Sequence, residues 1–445
     1  MNPQNEKKFE QILEGKYNNK QVRIKGWVQN STSLGKIHFL GIRYGINVIQ
    51  NVARLDELGP ELFNRVSNLG VESSVIIKGL VKQEERSPGG YEIGITSLDI
   101  IQDSKDYPLA KLEKKKHKGY EPDKEFLRDN RHLSIRIIEQ IAILRIRAEI
   151  MKSCRKYLDN RGFTEISSPI FTPSACEGKE TLFETPYFGK KAILSQSGQL
   201  YQEAAIFAVG KTYCLGPTFR AEKSRTNRHL TEFWMVEPEI AFADLDYGMK
   251  LAEELSSYIA KQVAKNRKRE LGVLKRDIKS LEKIEPPFEK ISYTESTELL
   301  QRGKFDIEWG DNFGVEHERY VSSQFEKPVH VFGYPAKAKA FYMQPDEKSD
   351  PNKPTAECFD TLYPCYGEFI GGSKRIHWLK LLEQRIEEYG LKKEDYEWYT
   401  DLRRFGTVPH VGFGMGIERY AQCLCDVKDI QEAIPFPRTS RRLSP

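Results

Sequence analysis

The chain has 445 residues, 39% hydrophobic and 30% charged, which is too apolar for a disordered polymer and ordinary for folded domains. Its length divides into roughly two to three domains. No run of about 18 apolar residues is present, so no membrane span is expected. The 69 Lys and Arg nearly balance 64 Asp and Glu, and a net charge of +5 does not by itself identify a nucleic-acid partner. The first sixteen residues lack an apolar core, so no secretory leader is read there and a cytoplasmic chain is expected. Seven Cys without C-x-x-C spacing read as reduced, mostly buried thiols rather than structural zinc ligands.

Residues 1–16 read as a short polar helix. From Gln21 the pattern turns to period two, with Val22, Ile24 and the Gly26-Trp27-Val28 step on a strand. Further strands are expected at 37–42, 46–52, 74–81 and 91–99. Five short strands in about 100 residues predict a small OB-like barrel over 1–103, a fold that often takes single-stranded nucleic acid. Residues 104–136 read as a linker holding the run Lys114-Lys115-Lys116-His117-Lys118, either a solvated connector or a phosphate-contacting hinge. Over 137–160 the period becomes helical, with Ile143, Ile146, Ile150, Cys154 and Tyr157 on one face and Gly162 as the stop. Helices are also expected at 246–265 and 374–389. Strands and helices mix without a βαβα rhythm, so 137–445 is predicted to be α+β, an antiparallel sheet flanked by helices. Neither a dinucleotide fingerprint nor a P-loop is present.

Three stretches could carry chemistry. In 216–237, an apolar run ends at Arg220, a polar segment 222–229 carries Lys223, Arg225, Arg228 and His229, and an apolar and acidic run returns. Such a hairpin suits a polyphosphate, because guanidinium pairs bidentately with phosphate oxygens, and Phe233 could stack on a base. A charged surface hairpin would look similar. In 412–419, three Gly at alternate positions allow close approach to a ligand before Glu418-Arg419 opens a helix, although a tightly packed core strand also fits. In 360–375, Asp360 and Glu368 near a Gly-Gly turn and Arg375 could hold Mg²⁺ with its phosphates, or could be ordinary surface acids.

Together these stretches resemble the class II aminoacyl-tRNA synthetases. The 219–233 segment (FRAE to RHLTEF) looks like motif 2, 412–419 (GFGMGIER) like motif 3, and the helix before Ser167-Ser168-Pro169 like motif 1. The resemblance covers nearly the whole chain, and a barrel ahead of the catalytic domain is similar to the Asp, Asn and Lys subgroup. It implies ATP as co-substrate, Mg²⁺, tRNA as partner and a homodimer. Arg220 would bind the α-phosphate and the substrate carboxylate. Arg419 and His229 would hold the γ-phosphate with Arg228 nearby, Phe233 would stack on adenine, and Glu222 would sit near the adenine amino group. Asp360 and Glu368 would hold Mg²⁺. Glu177, helped by Ser195 and Gln199, would take the α-ammonium, and Arg375 would contact the side-chain oxygen.

Within the subgroup the chain looks most like the asparagine-specific members. Aspartate-specific members place a Lys where Gln202 stands, and here the acid Glu203, expected to belong to the amino-acid site, follows it. Glu237 stands where they carry Asp. A pocket with one cation fewer favours a neutral amide. The implied activity is activation of asparagine to its adenylate and transfer to tRNA, with a paralogue serving another acceptor as the alternative. In the barrel, Phe39 and Gln50 match the aromatic residue and the Gln that stack on and read an anticodon base. The subgroup's Arg-x-Arg is Asn30-Ser31-Thr32 here, and its Arg-Asp-Gly is Arg43-Tyr44-Gly45, which removes cations from that face. In the catalytic domain, Lys179 replaces a Gly and is expected to point to solvent, and Lys374 replaces a Gln.

Overall fold

Alternation from Gln21 onward turns Val22, Ile24 and Val28 inward and leaves Arg23, Lys25 and Trp27 outside, so the period-two segment is a strand. The computed structural model describes residues 3–110, 123–224 and 226–445. The Lys114–Lys118 run and Arg225 lie outside the described residues. The chain divides into two compact units, 1–141 with Pro445 and 142–444.

In the first unit a helix, α1 (Pro3–Leu13), precedes β1 (Gln21–Leu34), β2 (Ile37–Tyr44) and β3 (Asn47–Arg54). After α2 (Leu55–Ser67), which the sequence reading did not anticipate, come β4 (Ser74–Gln83) and β5 (Tyr91–Gln102). The five strands close in the order β1-β2-β3-β5-β4, the OB-like barrel expected. A bulge between Val28 and Asn30 bends β1 and sets Thr32 opposite Phe39. Phe9, Ile24, Leu40, Ile49, Val75, Ile77 and Ile93 fill the interior. The stretch read as a linker contains two short helices, Lys124–Asp129 and Arg131–Ser134. Asp123 caps the first of them through the amide of Glu125.

The second unit is built on an eight-stranded sheet. Its strands are β6 (Thr164–Glu165), β7 (Lys211–Phe219), β8 (Glu232–Ala241), β9 (Glu289–Ser292), β10 (Val329–Phe332), β11 (Cys358–Tyr363), β12 (Gly367–Lys374) and β13 (His410–Gly416). They pair in the order β9-β10-β11-β12-β13-β8-β7-β6. The pairs from β10 to β7 are antiparallel as predicted, but both edge pairs, β9 with β10 and β6 with β7, are parallel. A parallel pair needs a crossover. The segment with α4 (Gln199–Val209) supplies one, and the segment with helices Tyr293–Arg302 and Val315–Ser323 supplies the other.

Helices α3 (Ile138–Asp159) and α5 (Leu245–Asn266) cover one face of this sheet, close to their expected bounds. Ile143, Ile146, Ile150, Leu255 and Ile259 meet Val236, Ile240, Val411, Phe413 and Met415 there. Each such side chain contributes about 1.5–3 kcal/mol on burial. Period two sends the intervening residues, Met235, Glu237, Gly414 and Gly416, to the opposite face, where they line a cavity. The helix expected at 374–389 begins only at Leu379, as α6 (Leu379–Glu388). Strand pairing of Ser373 with Gly412 and of Lys374 with Val411 overrides helical propensity before it. The chain then runs through α7 (Glu397–Arg404) to β13 and α8 (Ile417–Cys425). All seven Cys are free, and only Cys365 is exposed. Among the described residues, no helix is long and apolar enough to cross a membrane.

Candidate active site

The β7–β8 hairpin puts Arg220 just beyond the end of one strand and Phe233 on its partner, across from Thr218. Arg220 Nε donates to the Gln196 carbonyl at 3.3 Å, and its guanidinium carbon lies 5.5 Å from the Phe233 ring centre. Its Nη2 is 3.9 Å from Glu177 Oε1. A cavity of about 240 Å³ opens here, lined among others by Glu177, Gln199, Arg220, Glu222, Phe233, Glu237, Arg375 and Arg419.

One end of the cavity is rich in cations. Arg228 is buried, with Nη1 donating to Glu318 Oε2 at 2.7 Å and Nη2 to the Glu368 carbonyl at 2.8 Å. Arg419, at the start of α8, donates from Nη1 to Glu368 Oε2 at 2.8 Å. His229 Nδ1 lies 3.0 Å from the Ser224 hydroxyl and Nε2 lies 3.4 Å from Glu222 Oε2. Burial, reinforced by Arg419, pushes the imidazole below its ordinary value, so near neutral pH it is a hydrogen-bonding group rather than a third full charge.

Beside these cations stand Asp360 on β11 and Glu368 on β12. Lys339 Nζ donates to Asp360 Oδ2 at 2.8 Å. A Cβ placed on Gly371 would sit 3.2 Å from both Asp360 Oδ1 and Glu368 Oε1, so those two oxygens face one small space. Burial raises the Asp360 carboxyl to about 6 against the pull of Lys339. Burial also acts to raise Glu368, but Arg419, Lys339 and Arg228 outweigh it and bring that carboxyl to about 2. Among the described residues no set of three or more His, Cys, Asp or Glu converges on a metal site. Two carboxylate oxygens facing one space beside Arg228 and Arg419 fit Mg²⁺, a hard cation that takes one or two carboxylates and fills the rest of its shell with other oxygen ligands.

The other end is lined by more deeply buried side chains, among them Ser197, Gln199, Glu237 and Arg375. Gln196 organises the loop that carries Glu177: its Oε1 accepts from the Glu177 amide at 3.0 Å, and its Nε2 donates to the Gly178 carbonyl at 2.9 Å. Tyr342 donates its hydroxyl to Glu177 Oε1 at 3.0 Å. Glu237 accepts from the Ser197 hydroxyl and from the Gly198 amide at 2.9 Å. Arg375 grips Glu239 through Nη2 and, at 3.3 Å, through Nε, while Nη1 donates to Ser373 at 2.7 Å. Glu239 sits opposite Gly412, and a Cβ there would lie 2.0 Å from its Oε1, so the carboxylate occupies the space a side chain would need. Burial lifts the Glu239 carboxyl to about 7, with Glu203 and Glu237 adding to the effect against Arg375.

Most of the second-unit residues singled out in the sequence thus meet at one cavity, with two exceptions. Ser195 is buried and donates its hydroxyl to the Ser197 carbonyl at 2.7 Å rather than lining the cavity. Glu203 is fully buried behind it, held by Arg403, Tyr399 and His410. Lys179 is exposed but donates to the Gly390 carbonyl just beyond α6, so it does not simply point into solvent. Lys374 pairs with Glu357 at 2.6 Å. Glu239, Glu318 and Lys339 were not singled out. Glu239 stands two residues beyond the 216–237 stretch, on the same face of its strand as Glu237, which is the signal that could have found it, and Lys339 lies in no stretch singled out above. Glu318 lies in a segment with no motif.

In the barrel unit, Phe39 and Gln50 are half-buried in a groove also lined by Asn30, Ser31 and Thr32. Gln50 Nε2 donates to Ser87 at 2.8 Å and to Glu92 Oε2 at 3.2 Å. Asn30 accepts the Gly41 amide at 3.0 Å. The Ser31 and Ser33 hydroxyls flank the two nitrogens of His38. Arg43 is buried, donates to both oxygens of Glu72 and lies over Trp27.

The profile of the tRNA synthetases class II (D, K and N) matches residues 123–440. The asparagine–tRNA ligase of Desulforamulus reducens is 48% identical over 432 residues, 97% of this chain and 98% of that protein. That of Koribacter versatilis is 48% identical over 441 residues, 97% of each. Among solved structures, asparaginyl-tRNA synthetase from Pyrococcus horikoshii, complexed with asparaginyl-adenylate, superposes with a TM-score of 0.90 at 43% identity, over 97% of each chain.

Proposed function

The chain belongs to the tRNA synthetases class II (D, K and N), and on that premise we propose that it acts as an asparagine–tRNA ligase with ATP as co-substrate. The observation that carries this reading is one cavity with a cation-rich end for a triphosphate and a paired, buried end for a small zwitterion. The likeness to asparagine–tRNA ligases over nearly the whole chain favours tRNA over any other acceptor.

At the phosphate end, Arg220 binds the α-phosphate and the asparagine carboxylate. As that carboxylate oxygen attacks phosphorus, the bond to pyrophosphate breaks and negative charge grows on the phosphoryl oxygens, where a preorganised guanidinium stabilises it. Arg419, Arg228 and His229 hold the outer phosphates, and Phe233 stacks on adenine beside Glu222. Asp360 and Glu368 would hold Mg²⁺, which supplies charge neutralisation for the phosphates when bound. At the amino-acid end, Glu177 and Gln199 take the α-ammonium. Glu237 and Arg375 face the side-chain amide, one as acceptor and the other as donor. The ribose hydroxyl at the tRNA end then attacks the mixed anhydride and releases AMP.

The barrel, 1–103, is proposed to read the anticodon through Phe39 and Gln50, with 104–136 joining it to the catalytic domain, 137–445. A cytoplasmic homodimer is proposed from the family resemblance of α3. The test is charging of the source organism's total tRNA with radiolabelled asparagine, run beside asparagine-dependent pyrophosphate exchange. Both activities are expected, and exchange without charging would overturn tRNA as the acceptor.

A further inference from the structure

Glu203 lies one helical turn beyond Gln199 on α4, so the two side chains share a face. Gln199 Nε2 donates to Glu203 Oε1 at 2.9 Å, and Glu203 is fully buried. A carboxylate has no proton to give, so only the NH₂ end of the Gln199 amide can face it. Reversing the amide would set two acceptors against each other without water to separate them.

Glu203 itself cannot turn away. The Tyr399 hydroxyl bridges its two oxygens at 2.9 and 2.8 Å, Arg403 donates to Oε2, and His410 Nε2 lies 3.0 Å from the same oxygen. Arg403 is anchored in turn by Nε donating to the Ile376 carbonyl at 2.8 Å. Burial would raise the Glu203 carboxyl, but Arg403, His410 and Arg375 outweigh it and keep the group ionised. Gln199 lines the cavity, and with its NH₂ turned to Glu203 its carbonyl oxygen is the acceptor left for a ligand.

We infer that Glu203, clamped by Arg403 and Tyr399, is a positioning residue that locks the Gln199 amide with its oxygen toward the amino-acid end of the cavity. The assembly thereby presents a fixed acceptor to a substrate α-ammonium without spending a charge inside the cavity. The inference rests on the reading that this end takes the amino group of asparagine.

The test compares KM for asparagine and for ATP in pyrophosphate exchange, with melting temperatures alongside. Wild-type exchange that ignores asparagine would defeat the reading itself, before any variant is made. Glu203→Gln frees the Gln199 amide to rotate, and asparagine KM should rise about tenfold with ATP KM unchanged. Adding Gln199→Glu to Glu203→Gln should restore most of the loss, because a carboxylate offers an oxygen in either rotation. Gln199→Glu alone should bind worse than either, since it places two carboxylates in contact. Tyr399→Phe, which keeps Glu203 but removes one donor, should give the same KM split at smaller size. An unchanged asparagine KM in Glu203→Gln overturns the inference, as does a folded double variant without recovery. If Glu203→Gln does not fold, an unchanged asparagine KM in Tyr399→Phe overturns it instead.

Discussion

The cavity of the second unit and the groove of the barrel are built in opposite ways. The cavity is small, about 240 Å³, and its walls carry Arg220, Arg228, Arg375 and Arg419 against Glu177, Glu237, Asp360 and Glu368. The groove is large, about 1180 Å³, and the strand that could carry cations presents Asn30, Ser31 and Thr32. In the groove the polar groups bond within the barrel: Asn30 to a backbone amide, Ser31 to His38, and Gln50 to Ser87 and Glu92. A site that must stabilise developing charge needs preorganised ions. On the proposed reading, a site for a splayed base needs an aromatic face and an oriented amide, which Phe39 and Gln50 supply in the groove.

The largest expected effect sharpens the contrast at the charged end. Arg220→Ala should lower asparagine-dependent exchange by about 10²–10³-fold. Melting should stay unaltered, since Arg220 makes one long hydrogen bond and a 3.9 Å ion pair within the protein. Exchange near the wild-type rate would remove Arg220 from the chemistry. Next comes Phe39→Ala in the groove, expected to raise KM for tRNA by about 10–100-fold, the worth of one stacked base, while exchange is untouched. A parallel loss of exchange would show that the two regions are not separable in this way.

A smaller effect concerns pH. The folded Glu239 carboxyl lies at about 7, above its ordinary 4.5, so it takes up a proton as pH falls through 7. Arg375 then faces a neutral partner, and the pocket gains one positive charge. Discrimination of asparagine against aspartate should fall several-fold between about pH 8 and pH 6, and the dependence should flatten in Glu239→Gln. The linkage to stability has the opposite sense to a salt-bridged acid. A raised value favours the protonated fold, so this group's contribution is present below about 4.5 and lost as pH rises through 7. A pH-independent preference would place the titration elsewhere. The smallest effect is Thr32→Arg. Opposite Phe39, it should tighten tRNA binding a few-fold and steepen its salt dependence by about one counterion. An unchanged salt slope would mean that no phosphate passes that strand.

Much of the architecture was legible because it is local. Period two delimits the barrel strands to within a few residues, and the face holding Ile143, Ile146 and Ile150 places α3 correctly. The motif runs bring Arg220, Arg419, Asp360 and Glu368 together at one cavity. What was not legible depends on distant pairing. The helix expected from residue 374 starts at Leu379 because β12 continues against β13. The parallel edge strands depend on crossovers that no periodicity encodes. Glu318, 90 residues from Arg228, carries no local mark of its role, and Glu203 reads like a pocket acid until its partners on α7 and β13 are in place.

The contact between Glu239 and Gly412 also governs how this chain can drift. Any side chain at 412 collides with the carboxylate, so Gly412→Ala cannot come first. Shortening Glu239 first strands Arg375, a buried guanidinium whose Nη2 and Nε both donate to that carboxylate. Each single step carries a packing or charge penalty, so change at either position is coupled to the other and to Arg375. The glycine at 412 is thus demanded by a side chain on the neighbouring strand rather than by its own backbone.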